Sequence, residues 1–272
     1  MTPSGDHHGS IGVFDSGIGG LSVANAICGL LPQESMLYVA DNAHAPYGAR
    51  TDAEVIDYSR LVTDFLLAAG SRLIVVACNT ATSVAIDALR TEYTEVPFVG
   101  LEPAVKPAAS GRYVGVMATA VTLRSARYLD LKARYLSNRP VWEDPCVGLV
   151  PLIEAHGTGS PVVRSYLEEL LAPAGELDTL VLGCTHYPLI VEDIRGVVGE
   201  AVNVIDPSGA AARQVQRLLE RRGLVEERAA GMARYDFHCT GGPAPLQRTL
   251  WQLPELNAGR RWVVPYLALN ER

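Results

Sequence analysis

The chain has 272 residues, of which 48% are hydrophobic and 19% are charged, and its formal net charge at pH 7 is −7. That length is enough for one large domain or two ordinary ones, and the composition is typical of a soluble protein with a substantial core. The acidic balance argues against nucleic acid as a partner, because such proteins carry a basic stripe. No apolar run approaches the length of a bilayer span, so we expect no membrane partner.

The first ten residues are polar and contain no apolar stretch before a cleavage site. They indicate a disordered start rather than a signal peptide, and a cytoplasmic location is therefore expected. In that compartment the five cysteines should be reduced. Their spacing includes neither a Cys-x-x-Cys pair nor a zinc-type pattern, and no metal site is predicted.

Strand and helix patterns alternate along the first hundred residues. An apolar strand at 11–15 is followed by helical spacing over 21–31, a short strand at 37–40 and an amphipathic helix over 55–69. A second apolar run at 73–77 leads into another helical face at 84–89. This alternation predicts a mostly parallel sheet with helices on both sides.

The pattern then repeats. Three pairs of landmarks recur in the same order: residues 11–16 and 114–119, Cys78 and Cys184, and Pro103 and Pro207. The nearly constant offset of roughly 105 residues indicates a duplicated unit and a pseudo-twofold axis between two similar domains. The alternative is that strand–turn–helix units simply resemble one another.

We therefore predict an α/β fold of two pseudo-symmetric, mostly parallel-sheet domains, with the active site in the cleft between them. The second domain is expected to span residues 102–207. A further helix at 210–222 and an alternating strand at 235–239 have no counterpart inside that repeat. We expect this tail to return to the first domain, which would comprise residues 1–101 and 208–272.

Two cysteines occupy matched positions at the ends of apolar strands. Cys78 precedes Asn79 and Thr80, and Cys184 precedes Thr185 and His186. The carboxyl ends of parallel strands are where ligands bind in open α/β sheets. A thiol just before a helix lies near the positive end of the helix dipole, which can lower its pKa and make it a base or nucleophile. The alternative is that each cysteine is a small buried hydrophobe.

Other candidate site residues surround these strand ends. The turn from Asp15 to Gly20 is glycine-rich, but it is neither a dinucleotide fingerprint nor a P-loop. Asp15 could accept a proton or orient an amino group there, or the turn could simply cap a helix. In Pro46-Tyr47-Gly48 the tyrosine could close over a ligand, although spacing alone favours a plain turn.

His186 stands two residues from Cys184, where it could stabilise a thiolate or shuttle a proton. A buried core histidine is the alternative. Glu154 follows an apolar stretch, which is more typical of a helix start or a surface carboxylate than of a catalytic group.

Four blocks of this chain resemble the signature blocks of the glutamate racemases: residues 14–21, residues 46–48, residues 77–81 and residues 183–189. The resemblance implies a cofactor-independent enzyme that makes D-glutamate for peptidoglycan. It implies that Cys78 removes the α-proton of D-glutamate and Cys184 that of L-glutamate. The other thiol then donates a proton to the opposite face.

The resemblance also implies a set of site residues. Asp15 would assist Cys78, and His186 with Glu154 would assist Cys184. A small-molecule substrate would be bound by Asp15, Ser16, Pro46, Tyr47, Gly48, Asn79, Thr80, Thr119, Thr185 and His186. Among these, the hydroxyl and amide side chains are suitable neutral donors for the substrate carboxylates.

Several features bear on the specific activity. Related aspartate racemases tend to carry an acidic residue at the position of His186, so glutamate is favoured. The segment from Phe237 to Gly242 lacks an acidic residue often seen there in the family, which leaves the role of the tail open. Only about ten residues precede the first strand, so the extension that some members use to sense a cell-wall precursor is not expected. A homodimer is one option that the resemblance suggests.

Two other hypotheses for the function stay open. One is an aspartate or other small-acid racemase of the same superfamily. The other is a regulatory binding protein built on this scaffold.

Overall fold

The computed structural model describes residues 9–226, 233–257 and 264–269. Most of the predicted disordered start therefore lies outside the described residues. The strands are β1 Ile11–Asp15, β2 Met36–Ala40, β3 Leu73–Val76, β4 Phe98–Gly100, β5 Val114–Ala118, β6 Val141–Asp144, β7 Thr179–Gly183, β8 Asn203–Ile205 and β9 Tyr235–Cys239. The helices are α1 Leu21–Leu30, α2 Asp52–Ala68, α3 Asn79–Glu92, α4 Val105–Ala108, α5 Ala120–Arg124, α6 Ala126–Leu136, α7 Leu149–His156, α8 Pro161–Leu171, α9 Val191–Val198, α10 Ser208–Arg222, α11 Ala244–Gln252 and α12 Pro254–Asn257.

The chain divides into two compact units. One contains residues up to Leu101 and from Ser208 onward, and the other is Glu102–Pro207. The sheet of the first unit has the order β4-β3-β1-β2-β9, and the sheet of the second has the order β8-β7-β5-β6. All neighbouring strands in both sheets are parallel. The predicted fold class, α/β with two similar parallel sheets, is confirmed, and β9 is the strand without a counterpart.

The two sheets share a glycine at the same point of their central strands. Gly12 on β1 is paired with Ile74 on β3, and Gly115 on β5 is paired with Leu180 on β7. A Cβ on either glycine would lie 2.8 Å from a methyl carbon of a neighbouring side chain. Because the same close approach occurs at equivalent positions, this detail of packing supports the duplication predicted from the sequence.

Helix α3 of the first unit begins earlier than its apolar face indicates. The periodic positions start at Val84, but the helix starts at Asn79, directly after Cys78. Residues of the first turn are polar yet buried, and sequence periodicity does not detect such a turn. As a result the thiol of Cys78 stands at the helix N-terminus.

The second unit contains elements that were not predicted individually from the sequence, including β6 and the helices α4 to α8. Strand β6 is only half-buried along its length, so it lacks the continuous apolar run of the central strands. Within the described part of the chain, no helix is long and apolar enough to cross a membrane.

Candidate active site

Cys78 stands at the carboxyl end of β3 and is the N-terminal cap of α3. Its sulfur accepts a hydrogen bond from the Ala81 amide at 3.4 Å. The hydroxyl oxygen of Ser16 lies 3.6 Å from the same sulfur. The Cys78 side chain is buried, and these groups together with the helix dipole suit a negatively charged sulfur.

Asp15 is the last residue of β1, and its side chain packs under the backbone of the turn that follows. The Asp15 carboxylate accepts a hydrogen bond from the Gly17 amide at 3.2 Å, and the residue is fully buried. A Cβ on Gly20 would lie 2.6 Å from the Asp15 Cβ, so the close turn requires glycine there. The hydroxyl of Tyr38 donates to the Gly17 carbonyl at 2.9 Å and fixes the turn from below.

Asn79 and Thr80 form the first turn of α3, and both are buried. The Asn79 amide nitrogen donates to the Leu101 carbonyl at 3.0 Å. Its carbonyl oxygen Oδ1 is buried and has no hydrogen-bond partner among the described residues. A buried acceptor of this kind is costly unless a ligand or water satisfies it.

Tyr47 lies in the short 3-10 helix Tyr47–Ala49, with its ring buried in the same apolar cluster as Cys78. Its hydroxyl donates to Oδ2 of Asp41 at 2.6 Å. Burial raises the pKa of Tyr47 well above its ordinary value, and the neighbouring Asp41 carboxylate raises it further. Tyr47 is therefore fixed inward, and Pro46 is the exposed member of the segment.

Asp41 is a site residue that was not predicted from the sequence. It follows β2 directly and is fully buried, and its amide donates to the Asp15 carbonyl at 2.8 Å. The strand end itself is the signal that could have found it, since Ser16 occupies the same place after β1.

Cys184 stands at the end of β7, the strand equivalent to β3. Nδ1 of His186 lies 3.9 Å from its sulfur, and Nε2 of the same ring lies 2.8 Å from Oε1 of Glu154. Both Cys184 and His186 are buried. With Nε2 donating to the carboxylate, Nδ1 faces the thiol as an acceptor, and a protonated ring would donate to a thiolate instead.

Glu154 is neither at a helix start nor fully exposed. It lies in the second half of α7, and its side chain is 24% exposed. Helix α7 thus brings to His186 a carboxylate that sequence patterns alone assign to the surface.

Thr119 follows β5 as Ser16 follows β1, so a hydroxyl stands at the equivalent point of each unit. Thr119 Oγ1 accepts from the Thr122 amide at 3.3 Å and caps α5. Thr185 lies next to Cys184 and is buried. The predicted residues therefore group around Cys78 in one unit and around Cys184 in the other.

The three remaining cysteines are also buried: Cys28 and Cys239 lie in the core of the first unit, and Cys146 packs in the same apolar cluster as Cys184. None of the five cysteines forms a disulfide. The Cys146 thiol donates to the Asp144 carbonyl at 3.4 Å, and burial raises its pKa well above its usual range. Among the described residues, no group of three His, Cys, Asp or Glu side chains could hold a metal ion.

Comparison with known proteins identifies the class. Residues 22–215 match the family model described as Asp/Glu/Hydantoin racemase. The chain belongs to this family of racemases, which are isomerases. It is 46% identical to the glutamate racemase of Pseudomonas aeruginosa PAO1 over 255 residues, covering 90% of this chain and 95% of that protein.

Solved structures give the same result. The glutamate racemase of Francisella tularensis in complex with D-glutamate matches with a TM-score of 0.82 and 28% identity, over 98% of this chain and 100% of that one. The RacE1 glutamate racemase of Bacillus anthracis matches with a TM-score of 0.80 and 29% identity, over 97% and 99%. The resemblance to glutamate racemases seen in the sequence is thereby confirmed.

Proposed function

We propose that this enzyme interconverts L-glutamate and D-glutamate by proton transfer at Cα between two thiols. The observation that carries the proposal is the matched setting of Cys78 and Cys184. Cys78 follows β3 and Cys184 follows the equivalent strand β7, each is buried, and each has polar partners at its sulfur. The Francisella tularensis relative was solved with D-glutamate, and we propose the same substrate class here.

In the D-to-L direction, the Cys78 thiolate removes the α-proton, and the electron pair left on Cα delocalises into the substrate α-carboxylate. The Cys184 thiol then donates its proton to the opposite face of Cα. This leaves a thiol at Cys78 and a thiolate at Cys184, and the L-to-D direction reverses every step. One base alone would return the proton to the face it came from, so inversion requires two.

The α-proton of an amino acid is much less acidic than a thiol, so the environment must lower the barrier. Asn79 Oδ1 is a buried acceptor suited to the substrate ammonium group. The hydroxyls of Ser16, Thr80, Thr119 and Thr185 are suited to its carboxylates. Pro46, Tyr47 and Gly48 would complete the binding surface on the Cys78 side.

Two sets of residues would assist the thiols. Asp15 is buried in the turn whose next residue, Ser16, contacts the Cys78 sulfur. On the other side, Glu154 holds the His186 ring toward Cys184. We propose that Asp15 assists proton transfer at Cys78 and that His186 with Glu154 assists it at Cys184.

D-Glutamate made in this way would supply peptidoglycan biosynthesis from the cytoplasm, without an added cofactor. A homodimer remains a prediction from the resemblance, and light scattering of the purified protein would test it.

Proton NMR of L- and D-glutamate in D2O, with the purified protein and no cofactor, tests the proposal. The proposal is supported if the α-proton signal of both enantiomers disappears with the wild type and with Cys28→Ser, but persists with the Cys78→Ser/Cys184→Ser variant. We expect Cys78→Ser to reduce exchange from D-glutamate more than from L-glutamate, and Cys184→Ser to do the opposite. Normal exchange in both single variants would refute the two-thiol mechanism.

The same assay separates the alternatives. If aspartate or another small acid exchanges its α-proton and glutamate does not, the two-thiol mechanism stands with a different substrate. If none of these substrates exchanges its α-proton, a binding protein on a racemase scaffold is favoured.

A further inference from the structure

The segment that follows β2 and the segment that follows β9 are far apart in sequence but are joined by hydrogen bonds. The Thr240 hydroxyl donates to Asp41 Oδ1 at 2.7 Å, and the Ala43 amide donates to the same hydroxyl oxygen at 3.1 Å. The Asn42 side chain accepts from the Gly241 amide at 2.7 Å and donates to the Gly242 carbonyl at 2.9 Å. Four hydrogen bonds therefore join residues 41–43 to residues 240–242, and we call this the Thr240 clasp.

The clasp requires a close approach of the two backbones. A Cβ on Gly241 would lie 3.0 Å from Asn42 Oδ1 and 3.2 Å from the Ala43 amide nitrogen. Any larger residue at Gly241 would push against the opposite segment. Glycine is thus the residue that lets the end of β9 lie against the end of β2.

Asp41 connects the clasp to Tyr47. Its carboxylate is fully buried, and besides Thr240 it contacts Nδ1 of His44 at 2.8 Å and the Tyr47 hydroxyl at 2.6 Å. A buried carboxylate needs several donors to hold one orientation. If the Thr240 donor is lost, Asp41 loses its side-chain bond to the segment after β9, and the carboxylate that accepts from Tyr47 is held less firmly.

We propose that Thr240 is a positioning residue that acts through Asp41 to hold Tyr47, and with it the Pro46–Gly48 segment, in the geometry that binds substrate. This inference rests on the proposed function, in which that segment contacts glutamate. It gives the C-terminal tail a role: β9 adds a strand to the first sheet, and the residues after β9 brace the loop beside Cys78.

The test compares three threonine variants by steady-state racemase kinetics in both directions. Thr240→Val removes the hydroxyl at nearly constant volume, and Thr240→Ser retains it. Thr249→Val is the matched control, because Thr249 is also buried in the tail and donates to the Pro245 carbonyl within α11. We expect Thr240→Val to raise KM for both enantiomers roughly tenfold, which corresponds to the low end of what a hydrogen bond to a charged group contributes, with a smaller change in kcat.

Thr240→Ser should restore most of the affinity, and Thr249→Val should leave KM unchanged. An unchanged KM in Thr240→Val would overturn the proposal, as would a loss that Thr240→Ser does not restore. If Thr240→Val fails to fold, Asn42→Ala replaces it, since Asn42 is partly exposed and its loss removes the outer pair of the four bonds. Asn42→Ala should raise KM in the same direction by a smaller factor, and no increase would overturn the proposal.

Amide hydrogen exchange of the free protein tests the clasp without substrate. Thr240→Val should speed exchange in peptides covering residues 41–50 and leave those of residues 102–207 unchanged. If the wild-type protein racemises no glutamate, the proposed function fails, while faster exchange would still support the clasp. Unchanged exchange at 41–50 would refute the clasp even in an active enzyme.

Discussion

His186 Nε2 lies 2.8 Å from Oε1 of Glu154, although the two residues are 32 positions apart in sequence. The other ring nitrogen of His186 faces the Cys184 sulfur. The ring therefore connects a carboxylate on α7 to a thiol at the end of β7. A carboxylate in this position fixes which ring nitrogen carries a proton. It therefore decides whether the nitrogen that faces the thiol accepts or donates a hydrogen bond.

Glu154→Gln tests this connection. The amide keeps the shape of the side chain but cannot stabilise a protonated ring, so proton transfer at Cys184 should suffer. Positioned acid–base groups contribute about 10²–10⁴-fold to rates, and we expect the loss of this supporting partner to reduce kcat about tenfold. Exchange from L-glutamate, in which Cys184 acts as base, should fall more than exchange from D-glutamate.

The pH profile of kcat for L-glutamate should shift as well in Glu154→Gln. Glu168→Gln is the control, since that exposed carboxylate pairs with Arg164 on the surface of α8. An equal reduction of α-proton exchange from L-glutamate and from D-glutamate would show that Glu154 stabilises the unit without assisting Cys184.

Asp15→Asn separates charge from turn geometry. The Asn Oδ1 can still accept the Gly17 amide, as Asp15 does now, so the turn after β1 should be retained. The negative charge beside the Cys78 side of the site is lost. We expect kcat to fall by about 10² with little change in the urea midpoint, because the assisting carboxylate is absent from the transition state. Unchanged kcat would make Asp15 a turn residue only.

The strand ends were predictable because each combines an apolar run with a following polar residue. The buried strands before Cys78 and Cys184 show this pattern clearly, and so does the duplication that relates them. The sequence could not reveal the contact between Asp41 and Thr240, because it joins segments 199 residues apart. The local pattern around Glu154 gives no sign of its contact with His186, which depends on how α7 packs; only the family resemblance paired these two residues.

Tyr47 illustrates the same limit. Its position between Pro46 and Gly48 indicates a rigid segment, and that much is local. The direction of the ring depends on Asp41, whose carboxylate accepts a hydrogen bond from the buried hydroxyl at 2.6 Å. Side-chain direction at a loop is set by tertiary partners, so residue type and spacing do not determine it.

Asp178 should make the stability of the second unit depend on pH. Its carboxylate accepts from the amides of Arg112 at 2.7 Å and Tyr113 at 3.2 Å, just before β5. The hydrogen bond from the Arg112 amide is the main cause that holds the pKa of Asp178 below its ordinary value of 3.8. Because the folded state favours the ionised form, the stabilisation is complete above that value and is lost as the pH falls through the lower folded pKa.

Urea unfolding of Asp178→Ala between pH 7 and pH 3 measures this effect. The wild type should have the higher midpoint at pH 7, and the difference should narrow toward pH 3. Asp130→Ala controls for the removal of one negative charge at an exposed site. A difference that stays constant over this pH range would contradict the role of the ionised carboxylate.

Gly183 and Gly209 should respond to alanine in opposite ways. A Cβ on Gly183 would lie 2.7 Å from the Ala118 Cβ and 2.9 Å from the Met117 carbonyl, neither of which can swing away. Overpacking of this kind costs about 1–3 kcal/mol, so Gly183→Ala should lower the free energy of unfolding by that amount. Because Cys184 is the next residue, kcat should fall too.

Gly209 lies in α10, and its Cβ would meet only the flexible end of Arg213 at 3.5 Å. Replacing a helical glycine by alanine removes backbone freedom from the unfolded chain, so Gly209→Ala should raise stability by about 0.5 kcal/mol without changing kcat. Urea unfolding and racemase assays on the two variants check both signs. A Gly183→Ala variant that is as stable and active as the wild type would show that β5 can move to admit the methyl group, and that the position of Cys184 does not depend on this contact.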